Sequence, residues 1–153
     1  MKKTMITKAL AVILAGTAIL SCTSATAGAA GYNVRAGVSN SASAYIPFRP
    51  TSCIGTYRRI SSGYINPNIG QAVYAINGKQ LIVRKAKGST GMVSSYPGTY
   101  RAYVSGCSVL LRGTNQGYLT AEWTRNGYSY SMSSNTPLTL TNMTNYITAA
   151  ANA

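Results

Sequence analysis

The stretch Tyr118–Met132, YLTAEWTRNGYSYSM, decides how this chain is read. It divides into two runs rich in β-branched and aromatic residues on either side of Asn126-Gly127, the dipeptide that suits the positive φ angles of a two-residue type I′ turn. That turn fixes which residues face one another. Arg125 stands opposite Tyr128, Trp123 opposite Tyr130 and Ala121 opposite Met132 on one side, while Thr124/Ser129 and Glu122/Ser131 fall on the other, because side chains alternate along a strand. One face is aromatic and the other short and polar. A two-stranded ribbon is marginal in water, so the hairpin is expected to form one edge of a larger sheet whose apolar face something else covers.

A second hairpin lies upstream. In QAVYAINGKQLIVRK, from Gln71 to Lys85, a turn at Asn77-Gly78 sets Tyr74 against Leu81 and Ala72 against Val83, with Val73 against Ile82 on the reverse side. Apolar residues on both faces are expected of central strands. Three more strands follow from pattern: an irregular first one over 56–65, interrupted at Gly63, then 99–105 and 107–112 on either side of Gly106. The segment 44–50, with Tyr45, Ile46 and Phe48 between prolines, is expected along a sheet edge. Residues 86–97, rich in Gly, Ser and Thr, are expected to form an exposed loop.

After the second hairpin the period changes. Leu140, Met143, Ile147 and Ala150 recur at three- and four-residue steps with Tyr146 beside them, as the apolar stripe of a helix requires. Thr139 suits its N-cap, and the helix is expected on the Trp123/Tyr130 face. The fold class is therefore α+β: an antiparallel β-sheet meander of about five to seven strands, over 44–153, with a C-terminal helix packed on one face.

The first residues read as an export leader. Lys2, Lys3 and Lys8, an apolar run from Ala9 to Leu20 and small residues ending in Ala25-Thr26-Ala27 follow the order of a bacterial signal peptide over 1–27. Residues 28–43 have no sustained period and read as a flexible segment. A second reading of the leader is a lipoprotein signal, with Cys22 acylated and retained as an anchor. The first places the protein outside the cell with no transmembrane segment in the mature chain, the second on the membrane surface.

Removing the three leader lysines leaves 11 basic residues against Glu122 alone, a net charge of +10, with no His and no Asp. A surface of one sign attracts polyanions over a range set by salt. The partners expected outside a bacterial cell are an anionic envelope polymer, lipid headgroups or an envelope protein; nucleic acid suits the charge but conflicts with export. The mature cysteines, Cys53 and Cys107, either form a disulfide closing a loop of 54 residues, which would contribute about 3 to 4 kcal/mol, or remain two free thiols.

The same composition bears on catalysis. A single carboxylate and no imidazole provide neither an acid/base pair nor a His-activated nucleophile, and the ligands of a carboxylate or imidazole metal site are missing. The Ser-x-x-Lys arrangement is absent too, since Lys79, Lys85 and Lys87 are preceded at that spacing by Ile76, Ile82 and Arg84. The expectation is a non-catalytic module without a cofactor. Its candidate binding residues are Arg84, Lys85 and Lys87 beside the 86–97 loop, with Tyr96, and Arg101 between Tyr100 and Tyr103, a cationic and aromatic set suited to phosphates and planar groups. Each of them is also an ordinary strand or surface residue when taken alone.

With these elements in view, the run from Gln71 to about Ile147 resembles the bacterial domain of unknown function 4367 family. The residues that carry the likeness are QAVYAINGKQLIVRKAKG, CSVLLRG, AEWTRNGYSYSM with its Trp123, Gly127 and Tyr130, and the capped helix from Leu138 to Ile147. The resemblance spans about half of the chain. It implies an extracytoplasmic antiparallel sheet with a packed helix, in secreted proteins, lipoproteins or anti-sigma-factor-like proteins, bearing a ligand or partner surface and no established reaction. A secreted cationic binding module engaging an anionic envelope component is thus the first functional expectation. A sensory or protein-interaction domain of an envelope regulatory system is the alternative.

Overall fold

The computed structural model describes residues 46–92 and 94–151. The leader, Cys22 and the 28–43 segment lie outside the described residues. Eight strands and one helix follow in chain order: β1 Cys53–Ile54, β2 Tyr57–Asn66, β3 Ile69–Ile76, β4 Lys79–Ala86, β5 Gly98–Val104, β6 Cys107–Thr114, β7 Gly117–Arg125, β8 Tyr128–Leu138 and α1 Leu140–Ala150. All neighbouring strands are antiparallel, in the order β1-β2-β3-β4-β8-β7-β6-β5.

Both Asn-Gly dipeptides turn the chain as their chemistry requires. Asn77 and Gly78 have φ of 47° and 75°, Asn126 and Gly127 of 51° and 77°, the left-handed values a type I′ turn demands and that few residue types adopt cheaply. The registers follow: Trp123 pairs with Tyr130, Ala121 with Met132, Tyr74 with Leu81 and Val73 with Ile82. The β7/β8 hairpin is not an edge, however. Its β8 strand pairs with β4, so the two hairpins meet in the middle of one sheet.

The strand order also departs from a simple meander. Strands β1 to β4 form one antiparallel run and β5 to β8 another, and the chain reaches the second by crossing from β4 to the far edge. The two runs join symmetrically. Val83 on β4 faces Met132 on β8, and each is the fifth residue after its own Asn-Gly turn. The strand count exceeds the sequence expectation by β1, whose two residues carry no alternation to read. Strand β2 runs unbroken through Gly63, and its irregularities are register shifts between Arg59/Ser61 and Tyr64/Asn66.

The sheet curls into a half-barrel around α1. The helix touches β7 and β8 and also β1 and β5, which are the two opposite edges, so the sheet must wrap around it. Register shifts in β2, β6 and β7 supply local bends that permit this curl. Thr139 caps the helix, its Oγ1 accepting from the Asn142 N–H at 3.2 Å. Met143, Ile147 and Ala150 are buried against Trp123, Tyr130, Val109 and Leu111 in one core, each large side chain contributing about 1.5–3 kcal/mol by leaving water. Leu140, counted from its period as part of the stripe, is 38% exposed instead, while Met143 in the same turn is buried.

The segment ahead of β1 closes the inner face rather than following an edge. Ile46 and Phe48 are buried, and the Phe48 ring packs edge-on to Tyr64 with centroids 6.3 Å apart. Gly70 makes room for that ring, for a Cβ there would lie 2.4 Å from Phe48 Cγ.

Candidate functional site

Alternation along β4 sends Arg84 and Lys85 to opposite faces of the sheet. Arg84 lies on the outer face and is buried. Its Nε donates to Gln71 Oε1 at 2.9 Å and its Nη1 to the Thr90 carbonyl at 3.2 Å. It therefore fastens the β4–β5 crossover to the sheet, a task suited to the fixed fork of donors of a guanidinium. Thr120 Oγ1 donates to Ser94 Oγ at 3.1 Å farther along the same segment. The crossover expected to be an exposed loop is thus partly a lid: Thr90 and Tyr96 are buried, and Ser131, Ser133 and Thr120 are also buried on this polar face.

Lys85 lies on the inner face, opposite Tyr130. Its ammonium is 4.9 Å from the Tyr128 ring centre and 5.6 Å from that of Tyr130. Tyr130 in turn stacks on Trp123, with centroids 5.3 Å apart and planes 7° apart. Burial lowers the Lys85 pKa below its ordinary value and raises that of Tyr130. These residues form the wall of the core.

The remaining expected site residues separate. Lys87 is exposed where the crossover begins, its N–H donating to the Asn68 carbonyl at 3.0 Å. Tyr96 is buried and its phenol is pushed up by that burial. Tyr100, Arg101 and Tyr103 stay together on β5, the far edge strand, all three exposed and Tyr103 by 80%. Tyr100 leans on Tyr118 of β7 across the intervening β6, centroids 6.0 Å apart. Strands β8, β7 and β6 intervene between this group and β4, so the seven residues do not make one patch.

A polar groove connects the two regions across the outer face. Its volume is about 320 Å³, and it is bounded by Ser89 and Thr90 of the crossover and by Arg101, Leu110, Glu122 and Thr124 of the sheet. Arg101 pairs with Leu110 and Leu110 with Glu122 in successive strands. The Glu122 carboxylate is 3.9 Å from Arg112 Nε, so the one acidic side chain of the sequence is partly offset by a neighbouring cation. This groove was not legible in the sequence because two of its walls come from a crossover whose destination no periodicity encodes. A second cavity, of about 300 Å³, lies between Lys79, Tyr57, Tyr146 and the start of α1.

Cys53 and Cys107 carry free thiols, the former exposed and the latter half-buried. Of the two alternatives for these cysteines the structure has the free thiols and not the disulfide. Among the described residues no helix is long and apolar enough to cross a membrane, which is a statement about helices alone. No family model, curated protein or solved structure matches the chain.

Proposed function

We propose that the domain is a secreted, non-catalytic binding module whose cationic surface engages an anionic polymer of the bacterial envelope. The observation that carries this reading is the imbalance and placement of charge. Arg49, Arg58, Arg59, Lys79, Lys87 and Arg101 are exposed, while Glu122 sits beside Arg112. Exposed cations spread over both edges and a turn suit a long polyanion that contacts several points, each ion pair being weak by itself. A compact ligand held in one pocket would need converging charges instead. Arg101, at the mouth of the hydroxyl-lined outer groove, is the point where a phosphate on a polyol chain meets both a guanidinium and Ser/Thr donors.

Export in this reading rests on the leader-like residues 1–27. The absence of an acid/base pair from the sequence supports a holding role over a reactive one. The test is retention of the mature domain on isolated cell walls, walls stripped of phosphate polymer, and anionic or zwitterionic vesicles. Retention on polymer-bearing walls that is released by salt supports the reading. Equal retention on stripped walls, or binding indifferent to salt, contradicts it.

A further inference from the structure

We infer that β5 is a docking strand, completed by an extended acidic polypeptide segment that joins the sheet as a ninth strand. The two edges of the sheet are unequal. At one edge β1 has only two residues, β2 is interrupted by two register shifts, and Arg59 Nη1 donates to the Pro50 carbonyl of the segment ahead of it. Short strands and bulges are the devices that keep an edge from pairing with another chain. At the other edge β5 has seven residues in unbroken register with β6, and among the described residues it pairs with no other strand. It contains no proline. An edge left this regular is a template for main-chain pairing.

The side chains and backbone of β5 describe the occupant. The turn to β6 has two residues, Ser105 and Gly106, with φ of 51° and 82°, which makes Val104 and Cys107 the closing hydrogen-bonded pair. Alternation then turns the N–H and C=O groups of Tyr103, Arg101 and Thr99 away from β6, toward an incoming strand. Arg101 is central among them, and its neighbour on β6 is Leu110, with no carboxylate on β5 itself. A Glu or Asp beside Arg101, on the face it shares with Tyr103, is the complementary choice, with an apolar side chain over Tyr100 on the reverse face. The net charge of +10 draws in an acidic segment and repels a second copy of the same chain. This partner is a protein, so the inference goes beyond the polymer reading and depends on the backbone as well as on charge.

The experiment uses the mature domain and a labelled nine-residue peptide alternating Glu with Val. A second peptide of the same sequence and charge carries N-methyl groups on alternate amides, which blocks ladder hydrogen bonds. Binding by the first and loss of about tenfold or more with the second is expected, each lost backbone hydrogen bond having the size of a several-fold effect. Thr99→Pro, which removes one outward donor at an exposed position, is expected to weaken the first peptide by a comparable factor at unchanged thermal stability. Amide exchange at Arg101 and Tyr103 is expected to slow on binding, a readout that needs no variant. Equal binding of both peptides, unaltered exchange along β5, or no peptide binding while polymer binding persists would overturn strand addition and leave the polymer reading in place. Reversible dimerisation abolished by Thr99→Pro would overturn the acidic occupant in favour of a second copy.

Discussion

The Lys85 ammonium and the Tyr130 ring face each other across β4 and β8, 5.6 Å apart, and the opposite side of Tyr130 is covered by the Trp123 indole. A charge is thereby held against the core with aromatic faces as partners. Burial dominates its electrostatics, since the Lys85 pKa lies below the ordinary 10.5. Between the folded value and 10.5 the unfolded chain binds more protons, so this group's contribution to stability rises with pH through that window.

Tyr57, Tyr74, Tyr96 and Tyr130 act in the opposite sense. Burial holds each above the ordinary 10.0, so the unfolded chain loses these protons first and stability falls once pH passes 10.0. Four groups outweigh one. Urea midpoints measured from about pH 7 to 11 are expected to decline above about pH 10, with tyrosinate absorbance of the four appearing only on unfolding. A midpoint that stays level through this range would contradict the burial assigned to them.

Replacing Lys85 by Met keeps the linear chain and removes the ammonium. The cation–π contacts are worth about 0.5–2 kcal/mol, yet the lowered pKa says that desolvation exceeds what favours the charged form. Lys85→Met is therefore expected to leave the melting temperature at neutral pH unchanged or higher. A marked loss would mean that the cation is a net stabiliser.

The β1–β2 turn fits tightly under the helix. Gly55 has φ of +55°, and a Cβ on it would lie 2.7 Å from Tyr146 Cε1. Gly55→Ala is expected to cost about 1–2 kcal/mol from left-handed strain alone, and more from the displaced ring. Tyr146→Ala in the same chain is expected to relieve only the second part, which appears as a non-additive double-mutant cycle in thermal unfolding. At the corresponding turn of the other half, Ser105 has φ of +51° and its Oγ donates to Thr148 Oγ1 at 3.1 Å, so both turns hold the helix by contact.

Helix attachment has its own measure. Ile147 is 1% exposed, and Ile147→Ala is expected to cost about 2–4 kcal/mol as a buried aliphatic truncation. Thr139→Ala, which removes the cap on Asn142, is expected to cost about 1 kcal/mol. Denaturant unfolding with an unchanged slope checks both, and a negligible effect at Ile147 would detach the helix from the core.

Much of this architecture was legible because Asn77-Gly78 and Asn126-Gly127 each specify one turn, and a turn specifies every pair that follows it. The facing of Trp123 with Tyr130 and the capping by Thr139 are local consequences of that kind. Strand order is not local. Nothing in the period of β4 or β5 says that the chain crosses to the far edge, so the central place of β8 and the edge position of β5 were hidden. Arg84 shows the effect on the site: at a strand end it reads as solvated, yet it is buried, with the Thr90 carbonyl of the crossover folded back onto its guanidinium. Tyr100, Arg101 and Tyr103 are neighbours in the sequence whatever the fold, but the open backbone beside them depends on topology.

The most direct test of the central claim is the association constant of the mature domain with a poly(glycerol phosphate) chain, measured from low to moderate salt. Displacement of counterions at several cation contacts is expected to give a straight line of log K against log salt with a slope of roughly −2 to −4. A slope near zero, or no association at low salt, would contradict a domain organised to hold polyanions.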